Sequence, residues 1–437
     1  MSSDQSTPTS CREPVAFPSS QRGGRIEGIP RLFVGVRVRA ACRQVTAVLL
    51  RARGYGLQAA FELLDWGEED VPKLDRARFD RLVDGGDAAN ELPRLARGLA
   101  EVQSRLVQRL IGVQSSSTPC PLMIAVDDPG FWQVGRDVPS CYSSLCDAAF
   151  LAEQSGLNVL DAFPAGDLAG GGLGGPIAAL PQWQLLRDQH RTRVLLDLGR
   201  TTRMTYLPAG GVVRGEGEIL SFDVGPGTML LDSLVEHFTE GQANYDPGGH
   251  LAVQGRRIPG LIEHWLEDPY FDKPLPRWYA IGVQPDEELN ETVRMAVETG
   301  WSIRDLLCTA THLIAESARL SFQQHLSSLP EIDEIIISGG GSQNGLLVKE
   351  VTSRLPPRPV LRLSSYGLND TILDAACVAV LGLLYVDGVP ANRSAITGTQ
   401  SPRLLGRLSA GAAENWRSLV RSLAREEFEV SAFRNAS

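Results

Sequence analysis

No apolar run in this 437-residue chain approaches the roughly 20 residues that cross a bilayer as a helix, so a membrane-spanning protein is not expected. The first residues, MSSDQSTPTSCREP, lack the basic start and apolar stretch of a signal peptide, and the expected location is cytoplasmic. Cysteine pairing signals are missing too. The seven cysteines at positions 11, 42, 120, 141, 146, 308 and 377 are odd in number and include no Cys-x-x-Cys, which points to reduced thiols rather than disulfides or zinc. The six histidines, among them His237 and His312 in helical patterns, show no metal-ligand spacing and read as core or surface residues. Positive charge is also in deficit. A net charge of −10 argues against a nucleic-acid partner, because phosphate backbones reward clustered Lys and Arg. The length, by contrast, suffices for two lobes, each with its own core.

Residues 1–29 are rich in Ser, Pro, Gly and polar groups and are expected to be disordered. A first lobe is expected over 30–190, opening with strands at Leu32–Val38 and Val45–Arg51 and continuing with strands at Leu122–Val126 and Asn158–Leu160. Between them, Ala89–Gln114 carries Leu92, Leu95, Leu99, Val102, Leu106 and Leu110 at helical spacing, a stripe that reads as core. A second lobe over 191–437 is expected to begin with a strand-turn-strand at Arg193–Leu207. Helices follow at Glu287–Glu298, Ile303–Leu326 and Asp374–Tyr385, and Asn415–Glu427 is expected to pack back across the lobes.

The most informative feature is a repeated pattern of apolar run, glycines, then helix. In IIISGGGSQNGLLVKEV, β-branched residues from Ile335 lead into Gly339, Gly340 and Gly341 and then an amphipathic stretch. Glycines let a chain pass close to a phosphate or ribose, and the following helix N-terminus suits an anion. The bland alternative is a sharp turn that binds nothing. Two further turns, with Gly225 and Gly227 in SFDVGPGT and Gly170 to Gly175 in DLAGGGLGG, carry Asp223 and Asp167, and three such turns converge on one cleft more easily than on three functions. Carboxylates at strand ends are expected to face solvent or ligand. Either aspartate could instead cap the next helix, a reading that suits Asp223 better than Asp167.

The ordered set Asp167-(x)3-Gly171-Gly172-x-Gly174-x-Pro176, Phe222-Asp223-x-Gly225-Pro226-Gly227, Tyr245-Asp246-x-x-Gly249, Asp268-Pro269-Tyr270-Phe271, Gly339-Gly340-Gly341-x-x-Asn344 and Thr397-Gly398 resembles the anhydro-N-acetylmuramic acid kinases over residues 143 to 405. The resemblance implies a two-lobed α/β fold of the actin, hexokinase and Hsp70 type (ribonuclease H-like). It implies ATP and Mg²⁺ as cofactors and an amino sugar as substrate, whose anhydro ring is opened while it is phosphorylated. Asp167 falls where the family keeps the base that activates water. Gly171, Gly172, Gly174, Asp223, Gly225 and Gly227 fall on substrate or phosphate turns, and Gly199, Gly339, Gly340, Gly341 and Asn344 fall on the nucleotide side. Asp197 stands as a Mg²⁺ ligand through water, because hard cations favour carboxylate oxygen.

The chain also departs from the family pattern. Its phosphate loop, Gly-Thr-Ser-Leu-Asp-Gly, is replaced by Gly35-Val-Arg-Val-Arg-Ala-Ala-Cys-Arg-Gln-Val-Thr46, where Arg37, Arg39 and Arg43 either bind phosphate or form a solvated face. Asn-x-Gly-Gly-x-x-Asn becomes Asp197-Leu-Gly199-Arg-Thr-Thr-Arg203, and Asp-Phe-Arg becomes Ala162-Phe163-Pro164. In the substrate wall, His-Gly-Gln-Thr is replaced by Asp127-Asp128-Pro129-Gly130, and Lys-Ser-Thr-Gly-Arg-Glu by Arg277-Trp278-Tyr279-Ala280-Ile281-Gly282. Two carboxylates of a late family segment appear as Thr371 and Asp374. The expectation is therefore an ATP-dependent sugar kinase, with a sugar- or nucleotide-binding protein without catalysis as the alternative and a homodimer as a possible assembly. A dinucleotide fingerprint, Gly170-x-Gly172-x-x-Gly175, is a poor fit because about nine residues separate it from the preceding strand.

Overall fold

The computed structural model describes residues 13–20, 29–114, 119–134, 139–210, 219–278 and 299–434. The chain runs β1 (Val15–Ala16), β2 (Arg31–Val38), β3 (Gln44–Arg53), β4 (Ala60–Asp70), α1 (Lys73–Val83), α2 (Ala88–Gly112), β5 (Met123–Asp127), β6 (Phe131–Val134), β7 (Pro139–Ser143), α3 (Ala148–Ser155), β8 (Asn158–Asp161), α4 (Phe163–Ala169) and α5 (Ala179–Leu186). A second set follows: β9 (Arg193–Leu198), β10 (Thr201–Leu207), β11 (Leu220–Pro226), α6 (Thr228–Phe238), α7 (Pro259–Leu266), α8 (Ile303–His325), β12 (Glu334–Ser338), α9 (Gly345–Arg354) and β13 (Val360–Arg362). The chain then returns through α10 (Asp370–Val386), α11 (Ser394–Thr397), β14 (Arg407–Ser409) and α12 (Ala413–Arg434).

The two large sheets share one topology. The first has the order β1-β4-β3-β2-β5-β8-β14 and the second β11-β10-β9-β12-β13. In each, three strands in chain order form an antiparallel meander, and the fourth and fifth add in parallel beside the first of the three. A third-second-first-fourth-fifth order occurring twice is the ribonuclease H-like arrangement of a two-lobed α/β ATPase fold. The sequence pattern explains β2: Leu32, Phe33, Val34 and Val36 are all fully or nearly fully buried, as a central strand covered on both faces requires. The α2 stripe at Leu95, Leu99, Val102, Leu106 and Leu110 is likewise core.

The expected second lobe, 191–437, does not end with the chain. From Ile372 to Val386 every α10 residue except Asp374 and Tyr385 is buried. A helix apolar nearly all round must be enclosed, and α10 packs on β2, β3 and β5 of the first sheet while sharing a cluster with Leu195, Leu207 and Ile336 of the second. Gly35 makes this docking possible, since a Cβ there would stand 2.0 Å from the Ala375 carbonyl oxygen. β14 then pairs with β8, so the chain after α10 returns to the first sheet. Residues 13–20 also correct an expectation. Val15 and Ala16 pair with β4, and Phe17 is fully buried, so this part of the expected disordered segment 1–29 is ordered. The helix expected at Glu287–Glu298 lies outside the described residues. Among the described residues, six cysteines are free thiols and no helix is long and apolar enough to cross a membrane.

Candidate active site

Asp167 sits on α4, which follows β8 through Ala162 in the left-handed region at φ 56°. Its carboxylate is fully buried. Oδ1 accepts from Asn392 Nδ2 and Thr397 Oγ1, each at 2.7 Å, and Oδ2 accepts from the Gly174 N–H at 2.8 Å. The Gly172 N–H donates to the Asp167 carbonyl, and a Cβ on Gly172 would lie 2.3 Å from Oδ2. One lone pair of Oδ2 therefore remains, beside a residue that must lack a side chain. Leu173 N–H donates to the Thr397 carbonyl and Gln400 N–H to the Gly170 carbonyl, so the returning chain completes the Gly170–Gly175 turn. The turn follows a helix rather than a strand, which removes the dinucleotide reading.

The other glycines interlock around Asp197. Gly227 and Thr228 donate their N–H groups to the carbonyls of Arg200 and Gly199. A Cβ on Gly227 would fall 2.2 Å from the Gly199 oxygen, one on Gly339 2.3 Å from Asp197 Oδ1, and one on Gly341 2.6 Å from the Leu198 oxygen. Gly340 alone of the triplet faces open space. Gly339 N–H donates to Asp370 Oδ1 at 2.8 Å, and Asn344 Oδ1 caps α9 by accepting from Leu347 N–H. Gly249 packs on the Asn344 side chain and Gly225 on Phe271, so the separate motifs meet in space. The Gly171–Gly175 turn lies next to this group through the Pro276–Trp278 segment: Gly398 faces Pro276, Gly175 faces Trp278, and the Asp223 N–H donates to the Arg277 carbonyl.

Asp197 and Asp223 have different surroundings. Asp223, expected at a solvent-facing strand end or as a cap, is fully buried and accepts from Arg203 Nε at 2.7 Å, while Gly227 occupies the cap of α6. Of the two expected exposures, to solvent or to a ligand, the solvent one does not hold for either Asp167 or Asp223, because polar partners enclose them. Asp197 accepts no hydrogen bond among the described residues. Burial pushes its carboxyl up to about 7, aided by the charges of Asp374, Asp370 and Asp223 and opposed by Arg203. Asp374 is solvent-exposed on α10, yet enough protein surrounds it to raise its carboxyl against the pull of Arg37, as expected on the wall of a cleft. The sequence reading overlooked Asp370 and Asn392. Asp370 was legible as the i,i+4 neighbour of Asp374, whereas nothing local marks Asn392.

The arginines at and after the end of β2 are engaged within the first lobe. Arg37, at the end of β2, pairs with Asp127. Arg39 donates to Gln44 and Arg43 pairs with Asp80, both on the exposed β2–β3 turn, so these two form the solvated face. Among the described residues no three His, Cys, Asp or Glu side chains gather to hold a metal ion directly.

The sequence model of anhydro-N-acetylmuramic acid kinase matches residues 70–411. The chain belongs to the anhydro-N-acetylmuramic acid kinase family. A relative of that name from Crocosphaera subtropica is 32% identical over 365 residues, which cover 83% of this chain and 94% of the relative. Another of that name from a Cyanothece species is 33% identical over 273 residues, 62% of this chain and 71% of the relative. Among solved structures, the activator of the 2-hydroxyisocaproyl-CoA dehydratase from Clostridium difficile overlays with a TM-score of 0.38 at 10% identity, covering 80% of this chain and 94% of that one.

Proposed function

We propose that the chain is an ATP-dependent sugar kinase that opens the anhydro ring of anhydro-N-acetylmuramic acid and phosphorylates it. The observation carrying this reading is Asp167, fixed by three donors with one lone pair left beside Gly172. Oδ2 takes a proton from a water, whose oxygen bonds to the anomeric carbon. The anhydro C–O bond breaks, and the released oxygen would bond to the γ-phosphorus of ATP as its bond to the bridging oxygen breaks and ADP leaves. Two donors on Oδ1 hold the carboxylate in one orientation, which a general base requires.

ATP supplies the phosphoryl group, and Mg²⁺ neutralises its charge. The residues present fit both on the second-lobe side. Gly340 leaves one face of the triplet open to close backbone approach, while Gly339, Gly341 and Gly199 pack on the end of β9, Asn344 orders the turn, and Gly225 and Gly227 support it. Asp197 and Asp374 offer hard oxygens to a hydrated cation. Small-molecule partners and a cytoplasmic location go with this reading. A non-catalytic sugar- or nucleotide-binding protein is favoured by one observation, the engagement of Arg37 by Asp127 where a glycine loop would otherwise lie.

Incubation with anhydro-N-acetylmuramic acid and ATP should yield a sugar phosphate. Asp167→Asn should lower turnover by about 10²- to 10⁴-fold while nucleotide affinity stays near wild type. Full activity in that variant would remove Asp167 from the chemistry, and absence of product from wild type at stoichiometric enzyme would remove the kinase reading.

A further inference from the structure

Two indole rings flank the turn that holds Asp167. Trp132, on β6, packs against Gly174, where a Cβ would meet its ring at 2.8 Å; Trp278, beside β11, packs against Gly175. The rings come from opposite lobes and touch edge to face, with centroids 4.8 Å apart at 60°. Tyr142 backs Trp132 at 4.7 Å and 61°. Both tryptophans are only partly buried. The Gly174 N–H bonds Asp167 Oδ2, so ring, turn and carboxylate lie one residue apart.

Several polar groups beside these rings are engaged among the described residues. Trp132 Nε1 donates to the Pro129 carbonyl, which turns the polar edge of the indole inward. Tyr142 donates its hydroxyl to Asp128, whose carboxylate also receives the N–H groups of Gly130 and Leu145 and the Ser144 hydroxyl. Arg277 directs its guanidinium to the carbonyls of Asp223 and Phe271 and to Ser321 Oγ. Apart from Trp278 Nε1 and the remaining lone pair of Asp167 Oδ2, the two rings offer a ligand aromatic carbon among the described residues. Its partner must present C–H groups rather than hydroxyls, and a pyranose offers such a face. Aromatic rings with few rotatable bonds suit that contact.

We propose that Trp132 and Trp278 form a stacking wall that recognises the sugar by its apolar face, so that this chain tolerates changes in ring hydroxyls. The proposal rests on the sugar-kinase reading for the ligand class but not on catalysis. The test is tryptophan fluorescence of the full chain titrated with anhydro-N-acetylmuramic acid without nucleotide, alongside calorimetry and an anhydro sugar epimeric at one hydroxyl. Expected are a fluorescence change at the calorimetric Kd, epimers within about threefold, and weakening of at least tenfold in Trp132→Ala with most affinity kept in Trp132→Phe. Thermal melts identify variants that fail to fold, in which case the wild-type epimer series decides. Silent fluorescence on binding, a hundredfold epimer preference, unchanged affinity in folded Trp132→Ala, or no sugar binding would each overturn the wall. Sugar binding with these signatures but no sugar phosphate would leave the wall standing and remove the kinase reading.

Discussion

The carboxylates of Asp167 and Asp197, each beside a glycine turn, are held in opposite ways. Asp167 is enclosed by three neutral donors from the returning chain and from its own turn. Asp197 meets further carboxylates and one guanidinium, and no donor among the described residues satisfies it. The first arrangement fixes the carboxylate oxygens in position. The second leaves a charge unbalanced, which favours either a proton or a bound cation. The Asp167 carboxylate is thus pre-organised by donors of the protein alone, while the Asp197 carboxylate has no such donor among the described residues.

The sharpest way to break this contrast is to remove the guanidinium's partner. Arg203 is drawn down by burial but held above its usual range by Asp223. Asp223→Ala leaves that guanidinium without its short carboxylate contact, and the expected loss is about 3–5 kcal/mol in denaturant unfolding. A loss under about 1 kcal/mol would show that the pair is solvated and that the cleft does not isolate charge as described.

A smaller effect is expected at Asp197. Its carboxyl ordinarily titrates near 3.8 and is pushed up to about 7 in the folded chain. Between those values the folded state binds a proton that the unfolded state has released, so this group's contribution favours folding at low pH and is lost as pH rises through about 7. Asp197→Asn removes that loss. The gain at about pH 8 is capped near 4 kcal/mol by the size of the shift, and solvent in the cleft reduces it to about 1–2 kcal/mol. Unfolding curves from about pH 4 to 8 check this; a variant with the wild-type slope would show that Asp197 is ionised throughout.

Much of the contrast was legible in sequence. Strands β2, β3, β5, β8, β9 and β10 and helices α2, α8, α10 and α12 follow from strong apolar periodicity, and two of the three glycine turns meet at the end of β9. The burial of Asp167 was not legible. Asn392 and Thr397 lie 225 and 230 residues away, and their approach depends on α10 carrying the chain back to the first sheet. The same return hid the end of the second lobe. A helix as apolar as α10 announces burial but not which sheet it covers, and here it covers both.

The smallest expected change separates shape from binding within one glycine triplet. Gly339 and Gly341 would drive a Cβ into Asp197 or the Leu198 carbonyl, and Gly339 also needs its φ of 84°, so both are fixed by packing. Gly340 meets nothing within 4 Å. Gly340→Ala should therefore leave stability within about 0.5 kcal/mol of wild type, as for other surface changes. If phosphates pass over this turn, the added methyl occupies their path, and nucleotide affinity measured by calorimetry with Mg²⁺ should fall about tenfold. Unchanged affinity in a stable Gly340→Ala protein would mean that the open face of the triplet is a turn and not a cradle, which would shift the balance toward a chain that retains its sugar wall without using nucleotide.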